Sequence, residues 1–108
     1  MVNNNVKAER IFFAMGQPTR RRMVERLAGR ERMSLSELAK PESITLPGAL
    51  KQVRILEASG IVTCKKEGRV QWCSLNRKAL GPAATWAKEQ GFFWDASLAR
   101  LEKIINVK

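Results

Sequence analysis

Histidine is absent from this 108-residue chain, and cysteine occurs only twice. There is no run approaching the ~20 apolar residues that a membrane-spanning helix needs, no internal repeat and no low-complexity tract. Each absence removes a class of function. Without histidine, clustered carboxylates or a glycine-rich phosphate loop, the chain lacks the parts from which most active sites are assembled, so no enzyme is expected. Soft divalent metals take thiolate and imidazole ligands, and two cysteines alone make a poor tetrahedral set; no metal and no cofactor is expected. The opening Met1-Val-Asn-Asn-Asn5 has neither the charged nor the apolar segment of a signal peptide. With two cysteines far from the termini, this composition fits a small cytoplasmic protein without membrane attachment better than a disulfide scaffold.

Charge is what the chain has in excess. Lysine and arginine number 20 against 10 acidic residues, a net charge of +10. Seven of the basic residues fall in residues 45–78, with only two acidic ones. Charge spread for solubility alone has no reason to concentrate in this way. A polyanionic partner, nucleic acid before membrane surface, is the better reading, because no segment forms a long basic amphipathic helix. At this length the chain makes one domain, residues 1–108, with room for a single modest core.

The pattern that carries most information lies in residues 34–78. Ser34 and Glu37 form a capping box at the start of a short helix, and Pro41 disfavours helical geometry at Lys40, which ends it. Thr45 is a good N-cap for a second helix, with Pro47 tolerated in its first turn. Leu46, Ala49, Val53 and Leu56 fall on one apolar stripe that should face the core. Lys51 points the other way, beside Pro47 and Gly48, with Arg54 toward the edge. Gly60 suits the left-handed residue after a helix. A two-residue turn at Gly68-Arg69 then folds residues 61–75 into a basic hairpin that pairs Lys66 with Gln71 and Cys64 with Cys73. Helix, turn, capped helix and basic hairpin describe a winged helix-turn-helix, mainly α with a small β wing, whose second helix enters the major groove of DNA.

The flanks complete the organisation. Residues 6–16 place Val6, Ile11, Phe12 and Met15 on roughly one helical side, and Pro18 opens a second helix that runs to Leu27 or Ala28 ahead of Gly29. The run Arg20-Arg21-Arg22 in that helix reads either as a solvated face or as a contact to backbone phosphates. Residues 18–78 would then be the DNA-binding core. In residues 80–106, Pro82 opens a further helix, and Trp94, Leu98, Leu101 and Ile105 recur at i, i+4, i+7 and i+11. So long an apolar seam in so short a chain either packs within its own subunit or, the better reading, meets a second copy, with Ile11, Phe12 and Met15 joining it.

Several segments together resemble the ArsR/SmtB-type bacterial repressors, over about residues 10–104: Phe13-Ala-Met-Gly-Gln-Pro-Thr-Arg-Arg-Arg22, Leu35-Ser-Glu-Leu-Ala39, Leu46-Pro-Gly48, Val53-Arg-Ile-Leu-Glu-Ala-Ser-Gly-Ile-Val62 and Glu67-Gly-Arg69. The tail, with Phe93-Trp94 and Leu98-x-x-Leu101, looks like a branch of uncharacterised regulators rather than the metal sensors. The resemblance implies a homodimeric repressor whose terminal helices form the interface, two recognition helices reading an inverted-repeat operator, and an effector that releases it. It assigns DNA contact to Thr45, Pro47, Gly48, Leu50, Lys51, Gln52 and Arg54 on the recognition helix; the basic hairpin itself adds Lys65, Lys66 and Arg69 as expected DNA contacts. Where the family often has Ser and His, this chain has Leu50 and Gln52; Gln52 can pair bidentately with adenine, whereas Leu50 can touch only a thymine methyl or the core. The family's metal sensors use cysteines before the recognition helix, where residues 34–45 have none, or His and Asp in the C-terminal helix.

Two other readings remain open. The same fold can serve as a protein–protein adaptor, which Gly48 and Leu50 keep alive, or as a nucleic-acid binder without sequence preference. Cys64 and Cys73 face each other across the hairpin. They read first as small buried hydrophobes, and second as a redox pair whose disulfide would stiffen the wing. The effector, whether a small molecule or a redox signal, leaves no trace in the sequence.

Overall fold

The computed structural model describes residues 4–89. Helix α1 (Asn4–Met15) packs Ala8, Ile11, Ala14 and Met15 inward, the 3–4 spacing of a one-sided helix. Val6, expected on that side, is instead 37% exposed near the helix start. Gln17 caps helix α2 (Pro18–Ala28) by accepting from the Arg20 N–H at 2.9 Å, and Pro18 fills the first position, where no N–H is needed. Met23, Val24 and Leu27 form its buried face.

Strand β1 (Met33–Ser34) leads directly into helix α3 (Leu35–Ala39). The capping box forms as the sequence predicts: Ser34 Oγ accepts from the Glu37 N–H (3.1 Å) while Glu37 Oε1 accepts from the Ser34 N–H (2.9 Å). The chain departs from expectation at Pro41. Lys40 keeps helical dihedrals, and residues Lys40–Glu42 tighten into a 3₁₀ turn with Pro41 in its first turn. Ser43 then takes the left-handed conformation, φ 55°, and breaks the path before the next helix.

Helix α4 (Leu46–Ala58) starts at the Thr45 cap, where Oγ1 accepts from the Gly48 N–H at 3.1 Å. It ends at Gly60, φ 87°. There the Gly60 N–H donates to the Glu57 carbonyl and the Ile61 N–H to the Leu56 carbonyl, the paired bonds of a Schellman stop. Strands β2 (Val62–Glu67) and β3 (Val70–Leu75) form the hairpin in the predicted register, Lys66 opposite Gln71 and Cys64 opposite Cys73. Gly68, φ 63°, occupies the first turn position that a II′-type hairpin reserves for glycine.

The hairpin is not alone. β1 pairs antiparallel with β3, Met33 opposite Cys73 and Ser34 opposite Trp72, giving a three-stranded sheet of order β1-β3-β2. A two-residue strand is too short to show alternation, so sequence periodicity missed it. A 3₁₀ turn (Arg77–Leu80) then leads into helix α5 (Gly81–Glu89), which packs on α1. Ala83 and Ala87 allow the close approach, and Trp86 meets Phe12 edge to face at 5.6 Å between ring centres. One contiguous core joins all five helices and the sheet through Ile11, Met23, Leu38, Leu56, Ile61 and Leu80, among others. Trp94, Leu98, Leu101 and Ile105 lie outside the described residues.

Candidate nucleic-acid interface

Helix α4 divides its surface by position. Ala49, Val53 and Leu56 are buried, and Pro47, Lys51 and Arg54 are exposed on the opposite side. Leu46 corrects the sequence reading. Its spacing predicts a place on the core stripe, yet in the first position of the helix it reaches past the packed body and remains 49% exposed. Leu50, one turn further on, is half-buried. Gly48 and the Thr45 cap go together, because a Cβ at Gly48 would stand 3.2 Å from Thr45 Oγ1. Arg54 pairs weakly with Glu57 at 3.6 Å, whereas Lys51 forms no ion pair among the described residues.

The arginine run splits into three separate fates, and neither sequence reading describes Arg20. Its side chain is 7% exposed and is held from three directions. Nε donates to the Ala14 carbonyl (2.6 Å), Nη2 to the Phe13 carbonyl (3.4 Å), and Nη1 to Gln52 Oε1 (2.7 Å). The first two acceptors belong to the last turn of α1, whose carbonyls have no helical partner and whose dipole favours a cation. The third belongs to the recognition helix. Burial lowers the Arg20 pKa, but a guanidinium so bonded keeps its charge. Gln52, singled out as an adenine reader, therefore has its carbonyl occupied from within the protein.

Arg22 and Arg26, one turn apart on α2, converge on the Glu42 carboxylate, whose side chain is only 3% exposed. Arg22 reaches both carboxylate oxygens and Arg26 Nη1 lies 2.6 Å from Oε2. The hydrogen bonds from Arg22, reinforced by those from Arg26, hold the Glu42 pKa at about 2. This clamp fixes the 3₁₀ turn between α3 and α4 to α2, and so sets where the recognition helix begins. Arg21 turns the other way and donates to the Met15 carbonyl.

On the wing, Lys65, Lys66 and Arg69 are all exposed. Lys65 lies 4.0 Å from Glu67, which also accepts from Arg32 at 3.0 Å. The Arg32 guanidinium stacks 4.0 Å over the Trp72 ring, fastening the approach to β1 against the outer face of the hairpin. Lys66 and Arg69 form no ion pair among the described residues. Positive charge from α4 and from the wing tip thus stays available to an external polyanion.

The sequence and fold are similar to those of proteins of known class. A family model described as a helix-turn-helix domain matches residues 15–65. The chain is 32% identical over 82 residues to an uncharacterised HTH-type transcriptional regulator, YuzN, of Bacillus subtilis (strain 168), covering 70% of this chain and 89% of that protein. It is 35% identical to a crystallised ArsR family transcriptional regulator, with a TM-score of 0.75 over 84% of this chain and 93% of the other. The chain belongs to the ArsR family. An ArsR-like transcriptional regulator from Rhodococcus sp. RHA1 is also similar, at 25% identity and a TM-score of 0.70 over 95% of this chain and 96% of that one. The protein is accordingly a DNA-binding transcriptional regulator of winged helix-turn-helix fold.

Among the described residues no group of three or more His, Cys, Asp or Glu side chains comes together. Cys64 and Cys73 do face each other, with sulfurs 3.9 Å apart. Burial pushes both thiols up, Cys73 to about 12, so neither ionises readily at neutral pH. Of the residues expected at a subunit interface, Ile11 and Met15 lie in the chain's own core, and Phe12 packs on Trp86. The exposed aromatic of α1 is Phe13, at 71%. Among the described residues no helix is long and apolar enough to cross a membrane.

Proposed function

We propose that this ArsR family protein is a homodimeric repressor that binds an inverted-repeat DNA operator through α4 and the wing. The observation that carries the reading is the pair of exposed, unpaired cationic positions on two different elements: Lys51 on the open side of α4, and Lys66 with Arg69 on the hairpin. A helix in the major groove can read base edges, and Lys51 has the reach and charge to contact guanine O6 and N7. A hairpin tip beside it meets phosphates, which position without specifying. Thr45, Pro47, Gly48 and Arg54 border the same surface, and Lys65 extends it along β2.

Two substitutions separate these roles. Lys51→Ala is expected to weaken binding by about 1–3 kcal/mol and to relax sequence preference at one position. Arg69→Ala is expected to weaken binding to every duplex alike and to flatten the dependence of log K on log salt by about one unit. Isotherms on cognate and scrambled duplexes across a salt series distinguish them. Equal, sequence-blind losses from both would remove the groove-reading role from α4.

A further inference from the structure

The N-terminal edge of the recognition helix is apolar where a DNA-reading helix has most need of hydrogen-bonding side chains. Leu46 is 49% exposed in the first position of α4, Pro47 beside it is exposed, and Leu50 follows one helical turn later, leaning back toward Leu46. Nothing in the core requires Leu46, since Ala49, Val53 and Leu56 close the packed face. Leaving half of a leucine in water is unfavourable for the free protein. An exposed aliphatic side chain on a helix that also exposes Lys51 and Arg54 sits badly with an apolar protein partner and well with a polyanion that itself carries methyl groups.

The polar alternatives on α4 are few. Gln52 is its only amide side chain. Bidentate pairing with adenine uses the carbonyl and the NH₂ together, and the carbonyl is already engaged by Arg20 Nη1 at 2.7 Å, which turns it toward the protein's own α2. Lys51 and Arg54 remain for guanine. At the first turn of the helix the exposed side chains are apolar, and the base edge that offers an apolar contact in the major groove is the C5-methyl of thymine. We infer that Leu46, with Leu50 on the same flank, reads thymine methyl groups in the operator half-site, and that Gln52 positions the helix rather than pairing with adenine. The inference rests on the proposed groove reading by α4.

Deoxyuridine tests it without altering the protein, because it lacks only the methyl and keeps every hydrogen-bonding edge of thymine. The full-length protein first selects a preferred duplex from a random pool. Each thymine of the half-site is then replaced singly by deoxyuridine, and affinities are measured for wild type, Leu46→Ala and Leu50→Ala. The expected result is a loss of about three- to fivefold for wild type at one or two thymines. Leu46→Ala should bind the methylated and methyl-free duplexes equally. A wild type that selects a sequence but is indifferent to every deoxyuridine overturns this inference and leaves the groove reading standing, as does a Leu46→Ala and a Leu50→Ala protein that both remain as methyl-sensitive as wild type. A wild type that selects no sequence overturns both.

Discussion

Arg20 shows how one side chain joins three helices. It lies on α2, neutralises the carbonyl end of α1 and holds a side chain of α4. Truncation to alanine would leave the buried Ala14 carbonyl and the part-buried Gln52 Oε1 without their donor, and an unsatisfied buried acceptor costs about 1–3 kcal/mol. Arg20→Ala should therefore lower the unfolding free energy by about 2–4 kcal/mol, read as a lower urea midpoint at unchanged slope. Arg20→Lys should recover only part of that loss, because an ammonium cannot span three divergent acceptors. A midpoint within error of wild type for Arg20→Ala would show that these bonds are replaced by water. Nothing local in Arg20-Arg21-Arg22 marks the first arginine as the buried one; its decisive acceptor is 32 residues away.

At the scale of elements, the unit most exposed to pH is the clamp of α2 on the 3₁₀ turn. Glu42 titrates near 2 in the folded chain and near 4.5 when released. Between those values the unfolded chain binds more protons, so folding stability must fall as pH falls. The contribution of Glu42 is complete above about pH 4.5 and lost as pH drops toward about 2. Urea midpoints measured from neutral pH down to pH 3 should decline for wild type and decline less for Glu42→Gln, which has no proton to gain. Parallel pH profiles for the two would mean that other carboxylates govern acid unfolding. The elements themselves were legible because their signals are local: a capping box, a Thr cap, a Gly stop and a Gly turn each act within a few residues. What was not legible depends on distant chain. β1 exists only because β3 is there to pair with it, the turn at Pro41 stays helical because Glu42 is anchored to α2, and Leu46 is exposed because the body ends beneath it.

For the whole molecule the open matter is assembly. α1 shows its chain's own core Ala8, Ile11 and Met15, and turns Phe13 and Val6, seven residues apart and so on one face, toward the outside. The surface of α1 available to a second copy is thus one flank removed from the Ile11–Met15 side. In the proposed dimer, the periodic sequence of Trp94, Leu98, Leu101 and Ile105 would supply the larger part. Burying each such side chain contributes roughly 1.5–3 kcal/mol, and two-fold symmetry counts each contact twice. In the proposed dimer that total would be sufficient to hold two copies together at micromolar concentration after association costs. Under the proposed two-fold symmetry the target would follow, because two recognition helices about one turn of DNA apart require a pseudo-palindrome. Leu98→Asp with Leu101→Asp should abolish the dimer and specific DNA binding together, and Phe13→Ser should weaken the dimer less, since it removes one contact per subunit. Sedimentation velocity and gel shift on the same samples give both readouts. If wild-type protein sediments as a monomer well above micromolar concentration and still binds a single half-site specifically, dimerisation has no part in recognition.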